Sequence, residues 1–316
     1  MNRLYISIFI LLLVVSCTTI TKKEVDVSNV KVTVSIDRFE QKFYTSNEKT
    51  LPNLKKQYPY LFPVQNDSIW LNKIKNEAEL FQKTQKVFKN TDTVKNEISN
   101  LFRHIKYYHS SFNPPKIITL ITNLDYENKV IYADSLLFVS LDMYLGKNSM
   151  VYRDFPKYLS QNFDKSQLVV DIAKAISERY FIPDRSRQFL NLIINEGKKM
   201  YLLDSYLPLI SDAQKIGYTK NQLGWAVANE SQLWKYFIEN KLLYSTDTKL
   251  FTRFIANAPF SKFYIDIDKE SPGRIGVWLG WQIVRSYMNN NNVTLQQLLQ
   301  TNAEEIFKKS KYKPKK

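Results

Sequence analysis

The chain has 316 residues, 44% of them hydrophobic and 14% aromatic, with a formal net charge of +15. That apolar mass suffices for one sizeable core or two small ones, and a single cysteine rules out an intramolecular disulfide and a cysteine-built metal site. The positive charge comes with no arginine-rich arm, RNA-binding motif or zinc finger, so no nucleic-acid partner is expected; a basic surface suits an anionic membrane or envelope polymer.

Met1-Asn2-Arg3 opens the chain and LYISIFILLLVV follows. This run is short for a membrane span and right for the apolar part of a signal peptide. Val14-Val15-Ser16-Cys17 matches a bacterial lipobox, and the chain's one cysteine falls where the lipobox needs it. Residues 1–16 are therefore read as a signal peptide cut before Cys17, whose thiol would carry diacylglycerol. Residues 17–29 become a lipidated cysteine and polar tether, residues 30–307 a single α+β domain, and residues 308–316 a basic tail. Several acyl chains at Cys17 would hold the protein at a membrane.

Val30 to Tyr44 alternates apolar and polar residues and predicts a first strand. Pro52, Pro59 and Pro63 punctuate an irregular stretch from Leu51 to Asp67. Apolar spacing then predicts a helix over 68–90, and Asp92 or Thr93 caps another that runs to about Tyr108. His104 and His109, the only two histidines, do not share a helix face and are read as surface or local packing residues. After Pro114-Pro115 come three strand-like segments, 116–123, 129–134 and 136–145, with turns at Asn128 and Ser135. A small sheet in a mainly helical α+β fold is the expectation.

Ser166 to Asp204 predicts two amphipathic helices broken at Ile182-Pro183-Asp184, and the second carries Asn195-Glu196-Gly197. The pair is similar to the helix pair of HExxH zinc peptidases, where two His on the first helix and a Glu on the second complete a metal site. At the usual spacing the five positions fall on Ala173-Lys174-Ala175-Ile176-Ser177. Ala173 and Ser177 then stand i,i+4 where imidazoles would need to be. Neither side chain binds zinc, and Lys174 occupies the catalytic Glu position. The stretch is either two ordinary core helices or a zincin-like scaffold whose metal-binding motif is lost. No catalytic residue, metal or cofactor is assigned.

Tyr201 to Asn221 reads as loop-rich, and Gln222 to Leu243 as a helix carrying Trp225, Asn229, Glu230 and Trp234. Asn229-Glu230 repeats the Asn-Glu pair, so Glu196 and Glu230 together could form an acid/base pair, a divalent-metal site, or salt bridges to Arg274 and Lys198. Residues 256–262 read as a loop. Ser271 and Pro272 suit the start of a buried helix over 272–288, and Gly273, Gly276 and Gly280 imply close approach of another backbone. The tail KKSKYKPKK has six Lys among nine residues and reads as solvated. With no P-loop, GxGxxG or GxSxG, no nucleotide is expected. The candidate cleft residues are Glu196, Gly197, Tyr201, Asn229, Glu230, Trp234 and Arg274.

The runs LDMYLGKNS (141–149), FPKYLSQNFD (155–164), IINEGKKMYLLD (193–204), APFSKFYIDID (258–268) and SPGRIGVWLGWQIVRSYM (271–288) resemble the GldB gliding-motility lipoproteins of Bacteroidetes. The resemblance covers nearly the whole mature chain and agrees with the lipobox at Cys17. It implies a membrane-anchored lipoprotein needed for gliding and for the associated type IX secretion, with other envelope proteins of that apparatus as partners. It carries no established enzymatic activity, so a non-catalytic scaffold is expected; the alternative is a metal-dependent, peptidase-like hydrolase of the envelope. Surface-exported Bacteroidetes lipoproteins tend to have acidic residues after the cysteine, whereas Thr18-Thr19-Ile20 follows Cys17, which implies a periplasm-facing anchor.

Overall fold

The computed structural model describes residues 25–265 and 268–315. The expected signal peptide, Cys17 and the first part of the expected tether lie outside the described residues.

The predicted first strand divides into two elements. Only Ile36–Asp37 pairs as a strand (β1), and the chain turns at once into helix α1, Phe39–Tyr44. The segment joins two periodicities: alternation to Ile36, then Phe39 and Phe43 at helical i,i+4 spacing, both buried. Leu51 to Asp67, expected to be irregular, contains helix α2 (Leu51–Gln57), with Pro52 in its first turn where no intrahelical N–H is missed. The single helix expected over 68–90 is two, α3 (Asp67–Asn76) and α4 (Ala78–Val87), separated at Glu77. Glu77 accepts the Tyr44 hydroxyl and pairs with Lys73 at 2.6 Å. Helix α5 spans Asp92–Tyr108; Thr91 precedes it without a side-chain cap.

The three strand segments form, two of them much shorter than expected: β2 (Lys116–Leu120) ends before 123, β3 is Val130–Ala133, and β4 (Leu136–Ser140) gives way to a 3-10 turn at Leu141–Met143 instead of running to 145. The sheet order is β1-β2-β4-β3, with β2 parallel to both its neighbours and β3 antiparallel to β4. The sheet is a wall between two cores. Ile118 faces an aromatic cluster under α1 to α4 that holds Phe39, Phe43 and Phe62, while Ile117, Leu137 and Val139 face the larger helical core.

Beyond the sheet the chain is helical: α6 (Lys157–Ser160), α7 (Leu168–Ser177), α8 (Phe189–Tyr206), α9 (Asp212–Ile216), α10 (Lys220–Ala228), α11 (Glu230–Glu239), α12 (Lys249–Phe254), α13 (Ile275–Asn290), α14 (Leu295–Gln300) and α15 (Ala303–Ser310). The stretch read as loop from Tyr201 is the last turns of α8, then α9 and the start of α10. The helix expected over 222–243 is broken at Asn229, whose amide donates back to Trp225 O at 2.8 Å.

Helices α8 and α13 cross at the centre of the larger core with their backbones in contact. A Cβ built on Gly280 would overlap the carbonyl of Ile193, and one on Gly197 would overlap Gly280 O and lie 2.9 Å from Trp281 N. The close approach inferred from the glycines of 272–288 is thus made by α8, with Gly197 on the other side. Helix α13 starts later than Ser271-Pro272 suggested. Arg274 stands at its N-cap with φ 61°, and the N–H of Ile275 is held by Ser261 Oγ at 3.1 Å, a cap from a distant loop. One charged network ties α8, α9 and α13. Arg285 donates to Asp204 (2.7 Å) and Asp212 (2.6 Å) and stacks 3.8 Å over Trp281, whose indole N–H also reaches Asp204.

Candidate functional site

Glu196 and Arg274 come together in one cleft of about 560 Å³, between α7, α8 and the start of α13. The other candidates are elsewhere. Gly197 is buried in the α8–α13 crossing. Tyr201 is buried on α8, and its hydroxyl pKa is raised, chiefly by burial. Glu230 and Trp234 gather under the C-terminus, while Asn229 stands at the break before α11 and bonds back to Trp225. Buried Glu230 accepts the Tyr312 hydroxyl at 2.7 Å, and Trp234 packs edge-on to Tyr312 at 5.3 Å. Glu230 therefore does not share the cleft of Glu196, and the two do not form a carboxylate pair. The residues read as a solvated tail begin inside α15 and include this docked tyrosine. An aromatic ring with a buried carboxylate partner outweighs the surrounding lysines.

The helix face explains the fate of the expected ligand positions. Gln167 at the N-cap of α7, and Asp171 and Lys174 within it, line the cleft at i, i+4 and i+7. Ala173 and Ser177 lie about a quarter-turn round the helix, on its buried side; Ala173 is fully inaccessible and Ser177 Oγ donates to Lys174 O at 2.7 Å. Of the five positions aligned with HExxH, Lys174 alone reaches the cleft. Glu196 itself is paired with Lys199 at 3.4 Å, and Lys199 also pairs with Glu178 at 3.0 Å. These ion pairs take neither of the expected partners. Lys198 instead caps the end of α14, donating to Leu299 O (3.2 Å) and Thr301 O (2.6 Å), and Arg274 donates to Ile216 O at 2.9 Å. Among the described residues no three His, Cys, Asp or Glu side chains are grouped as a metal ion would need.

Of the residues that give the cleft its electrostatics, sequence reasoning missed Asp171 and Lys129 and named Lys174 only for its place in the HExxH spacing. Asp171 accepts from Lys129 (2.6 Å), Lys174 (3.4 Å) and the Tyr144 hydroxyl (3.1 Å). Burial works to raise its pKa, but Lys129 and Lys174 outweigh it and hold the carboxyl below the ordinary value. Burial brings the Lys174 ammonium down to about 8; Asp171 opposes that fall, and Arg274 and Lys129 add to it. Asp171 and Lys174 read in the sequence as the polar side of an amphipathic helix. Lys129, 42 residues from its partner, gives no local signal.

A second cleft, about 620 Å³, opens between the 180–184 break and α14. There His109 stacks on Tyr180 at 3.7 Å and its Nε2 lies 2.6 Å from the Tyr206 hydroxyl. Burial lowers the His109 pKa to about 4, so the ring is neutral at pH 7. His104 is buried on α5 with Nδ1 against Asn100 O at 2.9 Å. Both histidines are packing residues.

Among the described residues no helix is long and apolar enough to cross a membrane. A family model described as gliding motility protein GldB, whose label marks a lipoprotein family, matches residues 20–314. No curated protein matches the chain, and no solved structure does.

Proposed function

The chain belongs to the gliding motility protein GldB family and so takes part in gliding motility; from that premise we propose that it acts as a non-catalytic, membrane-anchored scaffold of the motility machinery. In this reading Cys17 carries the lipid, the tether through residue 29 sets the domain off from the bilayer, and the domain faces the periplasm. Its partners are other envelope proteins of the gliding apparatus and of the type IX secretion that accompanies it.

The observation that carries the non-catalytic part is the direction of α7. Ala173 and Ser177 point into the core, while the cleft that Glu196 lines receives a lysine and an already paired aspartate. A hydrolytic site would need a carboxylate held to bind a metal or move a proton; Glu196 is engaged by Lys199 and Asp171 by Lys129 and Lys174, and Glu127, the remaining carboxylate of the cleft, stands exposed on the 125–128 turn outside both helices. The Gly of Asn-Glu-Gly is accounted for by packing against Gly280.

Glu196→Gln, introduced at the chromosomal locus, tests this. Cells with normal levels of the protein should glide at the parental rate. Immotile cells with the variant present at normal level would overturn the non-catalytic reading. A Cys17→Ala chain should leave the membrane fraction and fail to support gliding, and a chain still anchored after that change would overturn the lipid assignment.

A further inference from the structure

We propose that the cleft between α7, α8 and the start of α13 is a receptor for a compact oxyanion, a carboxylate or phosphate group, held by Arg274 and Lys174. This goes beyond the scaffold role and does not rest on it. The charge inventory leads there. Lys129, Lys174 and Arg274 line one cavity of about 560 Å³. Of the three carboxylates that line it, Asp171 is committed to Lys129, Lys174 and Tyr144 and Glu196 to Lys199, and only exposed Glu127 makes no ion pair with a described residue. Arg274 makes one hydrogen bond, to Ile216 O, and no ion pair with a described residue. A guanidinium has five donors in a planar fork that matches an oxyanion. It is placed, moreover, by a backbone that an arginine adopts at a cost, φ 61° and ψ 30°. Such strain concentrates where a side chain has to be held in a given direction.

The electrostatics agree with the geometry. Lys174 is crowded by Arg274 and Lys129, and the groups facing it also include Asp171 and, across the cleft, Glu196 and Glu127. An anion between Lys174 and Arg274 relieves that repulsion. Bound anion should therefore raise the proton affinity of Lys174, and affinity should fall as pH rises through about 8, where the empty site loses that proton.

The test is calorimetric titration of the purified full chain in detergent. Three probes are used: inorganic phosphate, a blocked tripeptide with a free C-terminal carboxylate, and the same tripeptide amidated. Saturable binding of phosphate or of the free-carboxylate peptide is expected, and which of the two binds assigns the source of the oxyanion. Arg274→Asn, which keeps a residue tolerant of positive φ, and Lys174→Met should each weaken it about tenfold or more, the worth of one charge-assisted hydrogen bond. Lys308→Met, at an exposed position of α15, should not change it. If Arg274→Asn does not fold by circular dichroism, Lys174→Met and the pH profile carry the test. Absence of saturable binding of both oxyanions overturns the proposal, as does equal affinity of the amidated peptide, insensitivity to both cleft variants, or an affinity flat between pH 7 and 9.5.

Discussion

Gly280→Ala should be far more damaging than its size suggests. The added methyl would occupy the position of the Ile193 carbonyl, which is helix backbone and cannot rotate away, with Ile193 Cα only 3.2 Å off. Relief requires moving α13 away from α8, and the buried side chains of both helices move with it: Trp278, Trp281, Ile283 and Val284 on one side, Leu190, Ile194 and Leu202 on the other. Overpacking a core ordinarily costs about 1–3 kcal/mol, and a backbone-on-backbone clash belongs at or above the top of that range. Helix propensity returns at most about 1 kcal/mol of it. A net loss of about 2–4 kcal/mol is expected, a large share of a stability on the order of 5–15 kcal/mol. Gly224→Ala is the matched control. It also lies inside a helix, α10, but a Cβ there meets nothing within 4 Å. It should stabilise by about 0.4–1 kcal/mol through the unfolded chain alone. Urea denaturation of the two variants, followed by circular dichroism, separates the effects. A Gly280→Ala midpoint within error of the parent would refute the backbone-contact account of the α8–α13 crossing.

Two further expectations concern groups outside the central crossing. His109 has its folded pKa lowered to about 4 by burial, so the unfolded chain binds more protons between about 6.5 and about 4. Stability should then fall as pH drops through that window, and His109→Phe should flatten this part of a thermal-midpoint profile; an unchanged slope in the variant would assign the loss to other groups. Tyr312→Phe removes the hydrogen bond to buried Glu230 and should destabilise by about 1–3 kcal/mol, read by urea denaturation. A variant as stable as the parent would return the C-terminal residues to the status of a free tail.

The parts of this fold legible in the sequence were those where one periodicity runs undisturbed. The β2, β3 and β4 segments, the helix pair around the Ile182-Pro183-Asp184 break, and the need for a close backbone neighbour along Gly276 and Gly280 all follow from local pattern. The failures have a common physical origin in side chains whose partners are remote in sequence. Glu77, at the break between two helices, is held by the hydroxyl of Tyr44, 33 residues away, and Ser261 caps a helix that Ser271 is better placed to cap by spacing. Over Val30 to Tyr44 two periods abut, and the alternation of the first masks the i,i+4 phenylalanines of the second. The candidate site was half legible. Glu196 and Arg274 do meet in one cleft, but Glu230 belongs to a different cluster, and its claim rested on a repeated Asn-Glu pair with no geometric force. Lys174 drew notice only for its place in the HExxH spacing, and Asp171 and Lys129 went unnoticed because a charged residue on the polar side of a helix or before a strand looks like any other until the fold brings its partner to it.

The non-catalytic account stands or falls most directly on metal content. The full chain, purified without added metal and without chelators, should be folded by circular dichroism and carry no stoichiometric metal by inductively coupled plasma mass spectrometry. Near one equivalent of zinc per chain, lost in Glu196→Gln, would contradict it and make the cleft a hydrolytic site.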